Sequence, residues 1–309
     1  MDALQDAARS KDAARRQARG WARVAKRLEM KSIALALSAP IAWSFLEPHR
    51  LVVRRFDVAM DDLPAPLDGL RVAQLSDLHC SAITSSSVVR RAVQTCNALH
   101  PDLVVLTGDY VSRRNSYSHL TLARQWARPL MQYAAAMADE VRHLRAPQGV
   151  FAVAGNHDYA EGSFDAIRDA LEQAGIQTLV NQNVVTSSGL PLVGLDDLRA
   201  GHPDAGRAFS QVAADEPHLV LSHNPRVWPL VQERLCLLLA GHTHGGQVHL
   251  PGTNFRRKPS DMRHSALIEG WSASGRARLY ISSGIGSVHF PMRFNCPPEI
   301  AVFTLRRPA

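Results

Sequence analysis

From about Leu51 onward the chain alternates apolar runs of four to six residues with segments whose apolar positions recur at helical spacing. The runs predict strands over residues 71–75, 103–107, 150–154, 219–221, 235–240 and 279–282. The periodic segments predict helices over 87–99, 120–145 and 164–174, the last closed by Gly175 as a helix C-terminus favours. Strands and helices alternating in this way indicate stacked layers and an α/β (α+β) fold class. Residues 251–264, rich in Pro, Lys and Arg, read as an exposed loop.

Upstream the pattern differs. Residues 33–46, IALALSAPIAWSFL, hold eleven apolar residues in fourteen and no charge. A spanning helix needs roughly 20 apolar residues and a signal core roughly 7 to 15, so the segment fits an anchor, a shallow interfacial helix or a signal-like core. Pro40 weakens a straight span, and Trp43 suits an interface. The organisation expected is therefore a basic tail over 1–31, a hydrophobic membrane-anchor or signal-like segment over 32–47, and a catalytic domain over 51–309. The basic flank favours association with the cell membrane over the alternative, a helix packed on the domain. A true span would put the domain outside the cell and a shallow anchor would keep it inside, so the side stays open.

Charge narrows the classes of function. The 309-residue chain carries a formal +7, but residues 1–31 hold nine Lys or Arg against four acids, which leaves only +2 for the rest. A body so nearly neutral, with 6% aromatic residues, has neither the clustered cations nor the stacking platforms of a nucleic-acid groove, so nucleic acid is not an expected partner. The four cysteines, Cys80, Cys96, Cys236 and Cys296, are scattered without a CxxC pair, which indicates neither a disulfide framework nor a cysteine-based zinc site and leaves the compartment open.

At the end of each of five predicted strands stands a short polar cluster: Asp77-Leu78-His79, Gly108-Asp109, Gly155-Asn156-His157-Asp158, His223-Asn224, and Gly241-His242-Thr243-His244. Layered α/β folds place their sites at strand ends. On an extended chain, i, i+2 spacing sends Asp77 and His79 to one side, and His242 and His244 likewise, so each pair can reach one centre. Carboxylates, an amide and imidazoles suit borderline divalent ions. A covalent route through Cys80 lacks a dedicated base. Histidines outside the clusters, among them His49, His100, His119, His143, His202 and His218, read as structural.

The ordered set DxH, GD, GNHD, H and GHxH resembles the calcineurin-like metallophosphoesterases, over about residues 70–305. GHTHGGQVHLP (241–251) and GIGSVHFPMRFNCPPEI (284–300) resemble the small bacterial, membrane-associated branch of that family. The resemblance implies a four-layer α/β/β/α sandwich, two sheets face to face with helices outside, preceded here by an N-terminal hydrophobic helix. It implies two divalent ions, Mn, Zn or Fe with Mg as an option: one held by Asp77, His79 and His244, the second by Asn156, His223 and His242, with Asp109 bridging. Such a pair lowers the pKa of a shared water, and a bridging hydroxide then attacks phosphorus in line with the leaving oxygen. His157 is expected as a catalytic group, with Asp158 orienting its ring.

Two departures from the family matter. The purple acid phosphatase motif GDxxY is absent: Tyr110 follows Asp109 directly, so divalent ions without iron–tyrosinate colour are expected. Ser283 stands where the branch commonly has a phosphate-binding arginine before the GxG turn, and Arg293 or the Arg256-Arg257 pair is a candidate substitute. The implied activity is hydrolysis of phosphodiester or pyrophosphate bonds, on a phosphoester that is lipid-linked or a nucleotide sugar, UDP-diacylglucosamine-like. A catalytically inactive metal-binding scaffold and a nuclease are the alternatives; the scaffold is disfavoured because every metal position is filled.

Overall fold

The computed structural model describes residues 2–112, 129–253, 255–256, 259–263 and 265–308. The chain divides into two units, Met1–Phe45 and Leu46–Ala309.

The first unit is formed by one helix, α1 (Asp2–Leu46), with Pro40 inside it. The basic stretch 1–31 and most of the apolar stretch 32–47 thus share one continuous helix. Among the described residues no helix is long and apolar enough to cross a membrane. The reason is compositional: nine cations share the helix with only fourteen uncharged residues at 33–46, so no apolar window reaches bilayer length. The expectation of a hydrophobic N-terminal helix is corrected accordingly.

The second unit holds two six-stranded sheets. The first contains β1 (Val52–Ala59), β2 (Arg71–Leu75), β3 (Leu103–Thr107), β4 (Val150–Val153), β5 (Gln177–Thr178) and, from the far end of the chain, β12 (Glu299–Arg306). The second contains β6 (Gln182–Val185), β7 (Pro191–Gly194), β8 (His218–Leu221), β9 (Cys236–Ala240), β10 (Gly270–Ser274) and β11 (Ala277–Ile281). Their spatial orders are β1-β12-β2-β3-β4-β5 and β10-β11-β9-β8-β7-β6. Strands β2 to β5 run parallel, as do β7, β8, β9 and β11.

Side-chain alternation explains the layering, because successive residues of a strand point to opposite faces. Val72, Leu103, Val105 and Val153 of the first sheet meet Leu219, Leu221, Leu237 and Leu239 of the second in one buried core. The alternate residues Ala73, Leu75, Val104 and Leu106 share a second core with residues of α2 (Ser86–Ala98), α3 (Leu130–Val141) and α4 (Phe164–Gln173). Val193, Val220 and Leu238 cluster with Ala208 of the four-residue α5 (Ala205–Ala208) and with Val227 and Trp228 of the 3-10 segment Pro225–Leu230. Central strands are therefore apolar on both faces, which is why they read as unbroken runs. The helix expected over 120–145 is Leu130–Val141 among the described residues; His119 and 113–128 lie outside them.

Candidate metal centre

Every expected ligand stands within four residues of the end of a parallel strand: Asp77 and His79 after β2, Asp109 after β3, Asn156 after β4, His223 after β8, His242 and His244 after β9. Five of them sit in the left-handed region, with φ of 53° at Asp77, 47° at His79, 56° at Asp109, 72° at His242 and 53° at His244. Residues other than glycine rarely adopt it, and such strain, roughly 1–3 kcal/mol each, persists where the surroundings over-determine it, typically at functional sites. The paired side chains therefore converge through tight turns, not through the extended pleat that i, i+2 spacing suggested. Glycine lets two of the loops cross: Gly108 has φ of 86°, and a Cβ there would lie 2.6 Å from the Gly155 nitrogen.

Three imidazoles have a nitrogen committed away from the centre. His223 Nδ1 donates to the Thr107 carbonyl at 2.8 Å, which leaves Nε2 facing Asp109 Oδ2 at 3.2 Å. His79 Nδ1 pairs with Ser112 Oγ at 2.8 Å, and its Nε2 lies 3.4 Å from the same Asp109 oxygen. His242 Nε2 donates to the Asp261 carboxylate at 3.1 Å, and its Nδ1 lies 3.2 Å from His223 Nε2. His244 Nε2 completes the first group, 3.0 Å from His79 Nε2 and 3.3 Å from Asp77 Oδ1. Two sets of donor atoms result, Asp77–His79–His244 and Asp77–Asp109–His223, each within 4.8 Å of one another and all buried. Asp77 is common to both, and Asp109 Oδ2 of the second set also faces His79 of the first. Asn156 is buried and lines the same cleft, whose volume is about 440 Å³, together with His157, His242 and His244.

The electrostatics fit cations. Burial holds the His79 and His244 imidazoles well below their ordinary range, so both rings are neutral and their Nε2 atoms, 3.0 Å apart, share at most one ring proton between them in the absence of an ion. A divalent cation would take the place of that shared proton and accept lone pairs from both rings. Burial pushes the Asp109 carboxyl up, but His223 and His157 outweigh it and hold Asp109 well below the usual carboxylate range. Burial likewise lowers His223, and Asp109 outweighs it, raising the imidazole well above its ordinary value. Without an ion a proton thus fills the Asp109–His223 contact, and a divalent cation would replace it. The donor set of imidazoles and carboxylates with no thiolate is the set that borderline divalent ions prefer.

Several residues differ from expectation. The Asp158 carboxylate accepts from the backbone N–H groups of Asp109, Tyr110 and Gly155, each at 2.8 Å, so it clamps two loops. Arg293 is fully buried and donates to the carbonyls of Ser283, Gly284, Gly286 and Cys296, so it braces the 284–286 turn and is no phosphate ligand. Arg256 pairs with Glu269, and Arg257 lies outside the described residues. Among the described residues, the arginines that line the cleft are Arg199 and Arg263. Tyr110 is buried, with its hydroxyl donating to the Val153 carbonyl at 2.8 Å. Cys80 is buried, and burial pushes its thiol up to about 12, which argues against its acting as a nucleophile. Asp261 was missed altogether: it is the sole acid in 251–264, and its neighbour Met262 is fully buried, so that part of the stretch is no exposed loop.

Residues 70–246 match the calcineurin-like phosphoesterase family. The chain belongs to that family. It is 31% identical over 268 residues to the uncharacterized metallophosphoesterase YkuE of Bacillus subtilis, covering 85% of this chain and 88% of that protein. To the phosphodiesterase YaeI of Escherichia coli it is 32% identical over 270 residues, with 85% and 88% covered. To the UDP-2,3-diacylglucosamine pyrophosphatase LpxG of Chlamydia muridarum it is 27% identical over 329 residues, with 88% and 95% covered. This calcineurin-like chain is a phosphoester hydrolase with a site for divalent metal ions.

Proposed function

We propose that the chain hydrolyses phosphodiester or pyrophosphate bonds, with one divalent ion held by Asp77, His79 and His244, a second by Asn156, His223 and His242, and Asp109 shared between them. The observation that carries this reading is the position of Asp109 Oδ2, 3.4 Å from His79 Nε2 and 3.2 Å from His223 Nε2, where one carboxylate serves both groups. Bound ions would supply Lewis acidity that polarises phosphoryl oxygens and lowers the pKa of water. The chain's own residues do the rest. His157 lines the cleft beside Asn156 and offers a ring nitrogen to the leaving oxygen, as proton donor or hydrogen-bond donor. Asp158 keeps the Asp109 and Gly155 loops in register. Arg199 and Arg263 give the rim positive charge toward an anionic substrate.

The similarity to a pyrophosphatase of UDP-2,3-diacylglucosamine over most of both chains supports a lipid-linked or nucleotide-sugar substrate. Exposed Ile41, Trp43, Phe45 and Leu46 at the end of α1 support association of that helix with a membrane surface, and such a location belongs to the same proposal. The test is hydrolysis of bis-p-nitrophenyl phosphate and p-nitrophenyl phosphate by metal-stripped protein resupplied with Mn, Zn, Fe(II) or Mg. Metal-dependent cleavage of the diester, abolished in His242→Ala, is the expected result. Binding of two ions without turnover of any phosphoester, lipid-linked ones included, would return the chain to the scaffold reading.

A further inference from the structure

Asp261 lies in the short 3-10 turn Ser260–Met262, anchored by the buried Met262 side chain, whose backbone N–H donates to the Pro259 carbonyl at 2.9 Å. Its own side chain is only 15% exposed, and both carboxylate oxygens lie 3.1 Å from His242 Nε2. A carboxylate in this contact accepts, so the proton sits on Nε2 and His242 Nδ1 keeps its lone pair. Nδ1 is the nitrogen 3.2 Å from His223 Nε2, on the side where the second ion is proposed. Asp261 is itself held from three further directions: Asn224 Nδ2 donates to Oδ2 at 3.0 Å, Arg199 Nη1 lies 3.6 Å from Oδ1, and Arg226 Nη1 lies 3.9 Å from Oδ2. Beyond the buried Met262, four side chains, those of His242, Asn224, Arg199 and Arg226, thus converge on this one carboxylate.

We infer that Asp261 is a positioning residue of the second metal site, fixing the His242 tautomer and ring so that Nδ1 faces the ion. The carboxylate, the imidazole and the ion then form a relay in which an outer acceptor sets the orientation of a ligand, an arrangement whose loss typically weakens metal affinity by about 10–100-fold. Asp261 acts through His242 and is not among the residues that line the cleft. The inference rests on the two-ion reading of the site.

The experiment is a calorimetric titration of full-length, metal-stripped protein with Mn, paired with ¹⁵N–¹H spectra of the histidine rings in the zinc-loaded form. Asp261→Ala is expected to bind the first equivalent as the wild type does and the second about 10–100-fold more weakly, with loss of the Nε2-protonated signature of His242. Asp261→Asn, whose amide oxygen still accepts from Nε2, should recover part of that affinity. Two wild-type-strength equivalents in Asp261→Ala would overturn the inference while leaving the two-ion reading intact. An equal loss at both sites together with a lowered Tm would overturn it too, reducing Asp261 to a fold anchor. Fewer than two equivalents in the wild type would overturn the inference and the reading together.

Discussion

The imidazole of His157 stands edge-on to that of His79 with ring centroids 4.9 Å apart, while its backbone N–H donates to Asp109 Oδ1 at 2.7 Å. Main chain and side chain are thus separable: one steadies the shared carboxylate, the other meets the cleft. His157→Gln keeps the backbone bond, so we expect it to retain both ions while kcat falls by about 10²–10⁴-fold, the usual contribution of a positioned acid or base. Metal content by elemental analysis beside steady-state rates checks this; loss of bound metal in the variant would show that the ring is a ligand instead. At this scale the sequence exposed residue types well and partners poorly. Asp77, His79, Asp109, His223, His242 and His244 stood out because polar groups interrupt apolar runs at strand ends. The partners of Asp158, Arg293 and Asp261 did not, because each is brought in by a different loop. His242 and Asp261 are 19 positions apart, on a turn without regular periodicity.

Strands buried on both faces were the legible elements. β2 and β3 occupy the expected 71–75 and 103–107: LVVLT is buried throughout and RVAQL from Val72 onward, so both strands are covered on both faces. β1 was not legible: it is an edge strand reading VVRRFDVA, with Arg54 and Arg55 exposed, and it is fixed by parallel pairing with β12 some 250 residues later. β8 illustrates how an element can depend on pH. Its first residue, His218, is fully buried, with Nδ1 donating to the Glu216 carbonyl at 2.6 Å, and burial together with Arg234 pushes the imidazole down to about 4. The unfolded chain has an ordinary histidine near 6.5, so between these values the unfolded state binds more protons than the folded one. Stability contributed by this residue is present above pH 6.5 and is lost as pH falls toward 4, by about 3 kcal/mol at most. Urea midpoints measured in chelator at pH 7 and pH 4.5 should therefore converge for His218→Gln relative to the wild type. An equal acid-induced drop in both proteins would contradict this assignment.

In the catalytic unit as a whole, two sheets with a common core bring the ends of five parallel strands together, and the site exists only where both contribute. β2, β3 and β4 supply Asp77, His79, Asp109 and Asn156, while β8 and β9 supply His223, His242 and His244. The strand-end loops lock one another: Asp77 Oδ1 and Oδ2 accept from the His242 N–H at 3.2 Å, and the Gly286 N–H from the distal tail donates to the Asp77 carbonyl at 2.7 Å. Strained φ values at five ligands are tolerable because bonds from several separate loops hold them. The substrate beyond the phosphoryl group is the part least legible in the sequence, since the cleft rim is built by Arg199 and Arg263 from loops that no strand pattern announces.

The central claim, one carboxylate joining two metal sites, is most directly tested by electron paramagnetic resonance of the Mn-loaded protein, with bound Mn counted in the same sample. The account predicts two Mn per chain and an exchange-coupled dinuclear signal in the wild type. It also predicts an uncoupled signal with one Mn or fewer in Asp109→Asn, and proton release on loading as the ion displaces the proton held between Asp109 and His223. A single uncoupled Mn in the wild type, or a coupled pair that survives in Asp109→Asn, would contradict it.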